Sequence, residues 1–244
     1  MKRMFNTLLR PLLVALLFSI ITHASPAPKM TGARLLKIVD EFRAPTGTFS
    51  FQVNVKDYLR KQLLRENIYR VFSKEGRSVL VETIAPARLA GRKLLMASTL
   101  WMFLPSLKRP TQVSLQGRLT GEVSNGDIAR TQFARDYSAK IERADKKEVR
   151  LFLTANSKTA AYRHVRLVTT REGQPIRAEF YAISGKLLKT GEYSEAKDIL
   201  GAKRLTRVLI KDAIDPNKQS LLIYSAYHRE VLDDSFFDKE SLVE

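Results

Sequence analysis

Cysteine is absent from all 244 residues. No disulfide or thiolate-bound metal can therefore brace the fold, and no Cys is available for lipid attachment. Histidine is scarce, with three copies, and His23, His164 and His228 stand far apart. No pair of them has metal-ligand spacing, and His164 lies among basic neighbours in Tyr162-Arg163-His164-Val165-Arg166, so no metal site is expected. The chain has no Gly-x-Ser-x-Gly elbow, no phosphate-binding glycine loop and no dinucleotide fingerprint. Asp40-Glu41 and Asp233-Asp234 are neighbouring carboxylates, and neighbours on a helix or strand do not face each other as an acid/base pair must. These absences argue against an enzyme, with no catalytic residue and no cofactor expected. Beyond the first residues no apolar run approaches the ~20 residues that span a bilayer as a helix.

What is plentiful is positive charge. Lys and Arg number 42 against 25 Asp and Glu, a formal net charge of +17. Lys2, Arg3 and Arg10 precede an almost purely apolar Leu12–Ile21 stretch, and Thr22-His23-Ala24 offers small residues where a signal peptidase reads. Residues 1–24 are therefore read as a secretory signal cleaved after Ala24, giving a periplasmic, non-lipidated protein with one domain over 25–244. Removing the signal leaves 39 basic against 25 acidic residues, a net +14. In the cytosol such an excess points to nucleic acid. In an exported protein the abundant polyanions are lipid headgroups, so an anionic membrane surface is the expected partner and nucleic acid is not.

After a short Pro-containing Ser25–Lys29 stretch, Leu35, Ile38, Val39 and Phe42 share one side of a predicted helix over Thr31–Arg43, capped by Thr31 and ended by Pro45-Thr46-Gly47. Phe49, Phe51, Val53 and Val55 then alternate with polar residues, which predicts a strand with one face on a core. Turn signals at Lys74-Glu75-Gly76 and Arg171-Glu172-Gly173-Gln174 predict two hairpins, and Leu187–Tyr193, Arg204–Ile210 and Ser220–Tyr227 continue the series. The pattern is mainly β with helices (α+β): one long antiparallel meander with a helix packed on it. Asp233 onward, with Phe236 and Phe237, reads as a short terminal helix or a strand cover.

The densest apolar run is Leu100–Leu104, apolar at every position and containing the sole tryptophan, Trp101. A half-buried strand alternates, so this one is expected to be covered on both faces. The cover is either a second layer of core, an oligomer interface or a ligand. Arg92, Lys93, Lys108 and Arg109 bracket the run, which places charge one strand length from apolar contact, as an amphiphile with an anionic head requires.

The block Pro86–Tyr137 resembles the LolA-like outer-membrane lipoprotein-sorting protein family. The matching features are Gly91-Arg92-Lys93-Leu94-Leu95, Trp101 with Leu104-Pro105, Lys108-Arg109-Pro110, Leu119-x-Gly121, Ser124-Asn125-Gly126-Asp127 and Asp136-Tyr137, with Asp40-Glu41-x-Arg43 upstream. Gln112-Val113-Ser114 departs from the family's more basic segment. The resemblance implies an incomplete antiparallel β-barrel closed by helices over an apolar cavity, in a periplasmic carrier of lipid or acylated lipoprotein cargo. On that reading Phe49, Phe51, Val53, Leu95, Trp101 and Phe103 are the cavity candidates, the opposite face of the Leu100–Leu104 strand being the alternative. Arg43, Arg92, Lys93, Lys108 and Arg109 are the candidates for headgroup or membrane contact, and Asp127 is expected to brace the Asn-Gly turn. An inner-membrane transporter is a further expected partner. The competing reading is an envelope interaction or sensing module with an exposed apolar patch.

Overall fold

The computed structural model describes residues 30–129 and 132–243. The expected signal, its cleavage point and the Ser25–Lys29 stretch lie outside the described residues.

Helix α1 (Gly32–Arg43) starts where Thr31 Oγ1 accepts the amide of Arg34 at 3.2 Å, the side-chain cap that satisfies one of the orphan donors of a helix start. It buries Leu35, Leu36 and Val39. At its far end, buried Arg204 donates to the carbonyls of Ala44, at 2.9 Å, and of Glu41, which replaces the intrahelical partners those oxygens lack.

Strands β1 (Thr48–Leu59), β2 (Gln62–Lys74), β3 (Ser78–Ala85), β4 (Lys93–Met96), β5 (Leu100–Phe103) and β6 (Thr111–Gln112) follow in sequence. A small hairpin of β7 (Arg118–Thr120) and β8 (Val123–Ser124) leads into short helices α2 (Asn125–Ala129) and α3 (Phe133–Asp136). The chain then runs through β9 (Tyr137–Ala144), β10 (Glu148–Ala155), β11 (His164–Thr170), β12 (Pro175–Tyr181), β13 (Leu187–Ile199), β14 (Ala202–Asp212) and β15 (Lys218–Arg229).

Thirteen strands form one antiparallel sheet in the order β6-β5-β4-β3-β2-β1-β15-β14-β13-β12-β11-β10-β9. Every neighbour is a neighbour in sequence except β1 and β15, whose pairing, Val53 opposite Tyr224 and Val55 opposite Leu222, joins the two halves of the chain. The sheet is open, with β6 and β9 as its edges, and no closed barrel forms among the described residues.

Helix α1 touches both β9 and β14, five strand steps apart. In a flat sheet those strands would stand ~24 Å apart at ~4.8 Å per step, while a 12-residue helix is ~18 Å long. The sheet therefore curves around α1. Gly32 makes the contact possible, since a Cβ there would fall 2.4 Å from the carbonyl oxygen of Ala139 on β9.

The concave face carries the main core: Phe49, Phe51, Val53 and Val55 of β1, Val71 of β2, Leu151 and Leu153 of β10, Leu222 of β15, and the helix. A second cluster lies on the other face, where Leu80, Leu95, Trp101 and Phe103 meet Phe236, Phe237 and Leu242. The covering residues come from two 3₁₀ turns at Asp234–Phe237 and Glu240–Leu242, so the C-terminal segment is the strand cover that the sequence suggests. Strand β5 is thereby covered on both sides, Leu100 and Met102 by the main core and Trp101 and Phe103 by the tail.

Candidate functional site

Inward-pointing side chains of β12 to β15 and β1 leave a cavity of about 180 Å³ on the concave face, beside the C-terminal end of α1. Its sheet wall is Phe51, Phe180, Tyr193, Val208, Leu222 and Tyr224. The facing wall consists of Arg43 and Ala44, the α2 residues Gly126 to Ile128, the start of α3, and the 156–161 loop.

Five tyrosines line the cavity. Burial raises the hydroxyls of Tyr137, Tyr162, Tyr193, Tyr224 and Tyr227 above the ordinary phenol value, so each stays neutral. A neutral phenol presents an apolar ring with a polar tip, which suits a wall that meets hydrocarbon without demanding a counter-ion. Phe51 stacks on Tyr227, with ring centroids 5.2 Å apart, and on Phe49 at 5.9 Å.

Two polar arrangements hold the facing wall. Asp40 accepts the amides of Phe133 and Ala134, both at 2.7 Å, and thereby fixes the start of α3 from one turn inside α1. Arg43 bonds Asp40 at 3.3 Å, and its guanidinium carbon stands 3.8 Å from the Phe133 ring centroid. Burial draws Arg43 down, Tyr193 and Asp40 draw it up, and it ends above the ordinary arginine value, so the cation is retained. Behind α2, Asp127 forms a buried ion pair with Lys189 of β13 and accepts Tyr162 Oη at 2.6 Å and the Ser124 amide at 2.7 Å. Lys189 also donates to the Glu122 carbonyl at 2.9 Å. Asn125-Gly126 opens α2 rather than a turn, so Asp127, bonding back to the Ser124 amide, braces that helix start and ties α2 to the sheet.

Of the residues singled out by sequence, Phe51 and Arg43 line this cavity. Phe49 and Val53 are fully buried in the core around it. Leu95, Trp101 and Phe103 are on the opposite face under the tail, because β4 and β5 pair Leu95 with Trp101 and so aim both side chains the same way. Arg92 and Lys93 border a second concave pocket of about 290 Å³, while Lys108 and Arg109 are exposed in the β5–β6 loop. Sequence reasoning did not name Phe133, Phe180, Tyr193, Leu222 or Tyr224 as lining residues. The inward parity of β13 and β15, once one residue of each is placed, is the signal that carries the two tyrosines. Among the described residues no three His, Asp or Glu side chains gather as a metal site, and no helix is long and apolar enough to cross a membrane.

Comparison with known proteins places this geometry. A protein-family model described as "Uncharacterized protein" matches residues 75–244. The crystal structure of the LolA superfamily protein NE2245 from Nitrosomonas europaea aligns over 87% of this chain and 100% of its own, with 34% identity and a TM-score of 0.81. A Vibrio parahaemolyticus structure, described as an outer membrane lipoprotein-sorting protein domain, aligns over 87% of this chain and 98% of its own at 18% identity and a TM-score of 0.74. A DUF1329 family protein from Desulfovibrio piger covers 86% of this chain and 97% of its own at 17% identity and a TM-score of 0.73. The latter two share the fold. No curated protein matches the chain.

Proposed function

This chain belongs to the LolA superfamily, and on that premise we propose that it is a periplasmic carrier or binding protein for lipid or acylated cargo, which it moves or presents toward the outer membrane. The observation that supports this most is the apolar cavity on the concave face, walled by phenylalanine, tyrosine and aliphatic side chains, with the cation Arg43 held to the α1–α3 latch and Arg135 at the α3 side of the wall. In this reading α1, α2 and α3 close the open side of the curved sheet over the cargo site.

Affinity comes from burial. Each CH2 withdrawn from water contributes ~0.8 kcal/mol, so five give about 4 kcal/mol, a dissociation constant of about 1 mM before any polar contact. The cavity is smaller than the ~300 Å³ at which drug-sized ligand pockets begin. A full acyl chain therefore requires the α1–α3 wall to move outward. Export through the N-terminal signal, cleavage after Ala24 and the net +14 charge fit a protein that meets anionic membrane surfaces, and a membrane transporter as donor or acceptor belongs to the same reading.

Native mass spectrometry of protein purified from periplasm without detergent, followed by lipid extraction, tests the proposal. Copurified lipid, lost in Val208→Trp, which fills the cavity, and kept in Trp101→Phe on the far face, is the expected result. A clean apo mass, with no uptake of a fluorescent fatty acid, would sink the carrier and favour an interaction module of the envelope.

A further inference from the structure

The second concave pocket has a different chemistry. Segment 115–128 crosses the concave face and contributes Leu115 and Gly126 to Ile128 to the apolar cavity, but Arg118 to Thr120 to this one, so it stands between the two. The floor is built on a cross-strand pair. Tyr69 of β2 lies directly opposite Thr83 of β3, both aim inward, and they are 3% and 9% exposed. Neither side-chain hydroxyl has a hydrogen-bond partner among the described residues. Next to them Asn67 is satisfied by Thr120 at 2.9 Å, and Thr120 in turn donates to Asp57 at 2.6 Å.

Four arginines stand around that floor: Arg65 on β2, Arg88 and Arg92 in the β3–β4 connection, and Arg118 on β7. No carboxylate is among the lining residues. Arg65 and Arg118 reach Asp57 and Glu122 only at 3.8 and 4.0 Å, with side chains 57% and 72% exposed, so those pairs are loose. Arg88 and Arg92 have no ion-pair partner among the described residues. Lys93 also borders the pocket, but its ammonium donates to the Ser241 carbonyl of the tail on the other face, at 3.4 Å. Leu94, Met102 and Leu119 supply an apolar side.

We propose that this pocket is an oxyanion site that takes a phosphate group, with Arg88 and Arg92 as the paired cations and the Tyr69 and Thr83 hydroxyls as the buried donors. A guanidinium fork matches phosphate oxygens two at a time, and a cluster of such forks without acids selects an anion over a zwitterion. Burial and nearby Asp57 keep the Tyr69 phenol protonated, so it donates. The apolar side lets the phosphate be esterified to an apolar group, which makes both a lipid headgroup and a soluble phosphate ester eligible. The site is independent of what the apolar cavity holds.

Calorimetric titration of the mature protein at low salt, with inorganic phosphate, with dihexanoyl phosphatidic acid and with neutral dihexanoylglycerol, is the test. Binding of both phosphate probes but not the neutral one is expected. It should weaken at least about tenfold in Arg88→Gln/Arg92→Gln and about tenfold in Tyr69→Phe, the value of one hydrogen bond to a charged group. Equal affinity for the two phosphate probes identifies the soluble ester as the source, and a phosphatidic acid preference of tenfold or more identifies the lipid headgroup. No binding of either phosphate probe, or unchanged binding in the arginine double variant, overturns the site. Uptake of a fluorescent fatty acid by the same variants separates it from the carrier reading: uptake at the wild-type level is expected, and an equal loss of phosphate and fatty acid overturns a distinct pocket.

Discussion

The guanidinium carbon of Arg43 stands 3.8 Å from the Phe133 ring centroid, and so joins the last residue of α1 to the first residue of α3 within one wall of the apolar cavity. Asp40 reinforces the junction from the next turn through the Phe133 and Ala134 amides. If cargo enters by parting these helices, this latch sets how easily they part. Arg43→Met keeps an apolar contact with Phe133 and removes the charge that Asp40 pairs with. It should speed uptake of a fluorescent fatty acid severalfold in stopped-flow mixing, whereas unchanged rates would place the route elsewhere.

Asp40 gives the latch a pH signature. Its burial, outweighing Arg43 and the two amides, holds its carboxyl above the ordinary aspartate value of 3.8. Between the unfolded and the raised folded value the native state binds more protons, so this group's contribution falls as pH rises through that window and is constant below it. The stability of wild type relative to Asp40→Asn should therefore decline from pH 3.5 upward and then level off. Urea denaturation across that range, with the carboxyl followed by NMR, measures it, and a midpoint below 3.8 would contradict the burial argument.

Gly32 predicts a reversal of a familiar rule. Gly→Ala within a helix ordinarily gains up to ~1 kcal/mol. Here the new methyl meets the Ala139 backbone at 2.4 Å and pushes α1 off β9. Gly32→Ala should lose roughly 1–3 kcal/mol, the cost of overpacking. A stabilised variant in thermal melts would mean that α1 does not lie this close.

Local features were legible in the sequence and the curvature was not. Thr31 at the helix start, the β1 alternation and the glycine turns act within a few residues, and each is where it was expected. Strands β9 and β10 were missed although Val149, Leu151 and Leu153 alternate, because the charged Arg143–Lys147 stretch between the strands masks the pattern. The cavity is a long-range product: Phe51, Phe180 and Tyr224 meet because the sheet bends around α1, and no spacing in the chain encodes that bend. Trp101 illustrates the same limit. The consecutive apolar residues tell that both faces of β5 are covered, but not that the cover on one side comes from residues 232–242.

That cover makes Trp101 a reporter. Phe236 and Phe237 meet edge-on at 5.2 Å, Phe237 and Leu242 are buried, and the Lys239 ammonium stands 4.2 Å from the Trp101 ring centroid. Phe237→Ala should cost about 3–5 kcal/mol of that cluster's packing and shift the Trp101 emission to the red. Fatty-acid binding in the cavity should be unaffected so long as the protein stays folded. A blue-shifted or unchanged spectrum would show that the tail does not shield this face.

The strongest electrostatic dependence lies in the Asp127–Lys189 pair, whose side chains are 9% and 8% exposed. Removing one partner leaves a buried charge without its counter-ion, which costs about 3–5 kcal/mol, although the pair itself contributes little over an apolar replacement. Lys189→Met should therefore be far more damaging than Lys56→Met, whose exposed pairing with Glu66 is worth under ~1 kcal/mol. Lys189→Met combined with Asp127→Asn should recover more than half of the loss, because the remaining amide keeps an oxygen for the Ser124 amide or the Tyr162 hydroxyl without a net charge. Guanidinium unfolding of the three variants separates the cases: a double variant as unstable as the single one would show that Lys189 acts through its packing on Tyr162 and Phe180 rather than through its charge.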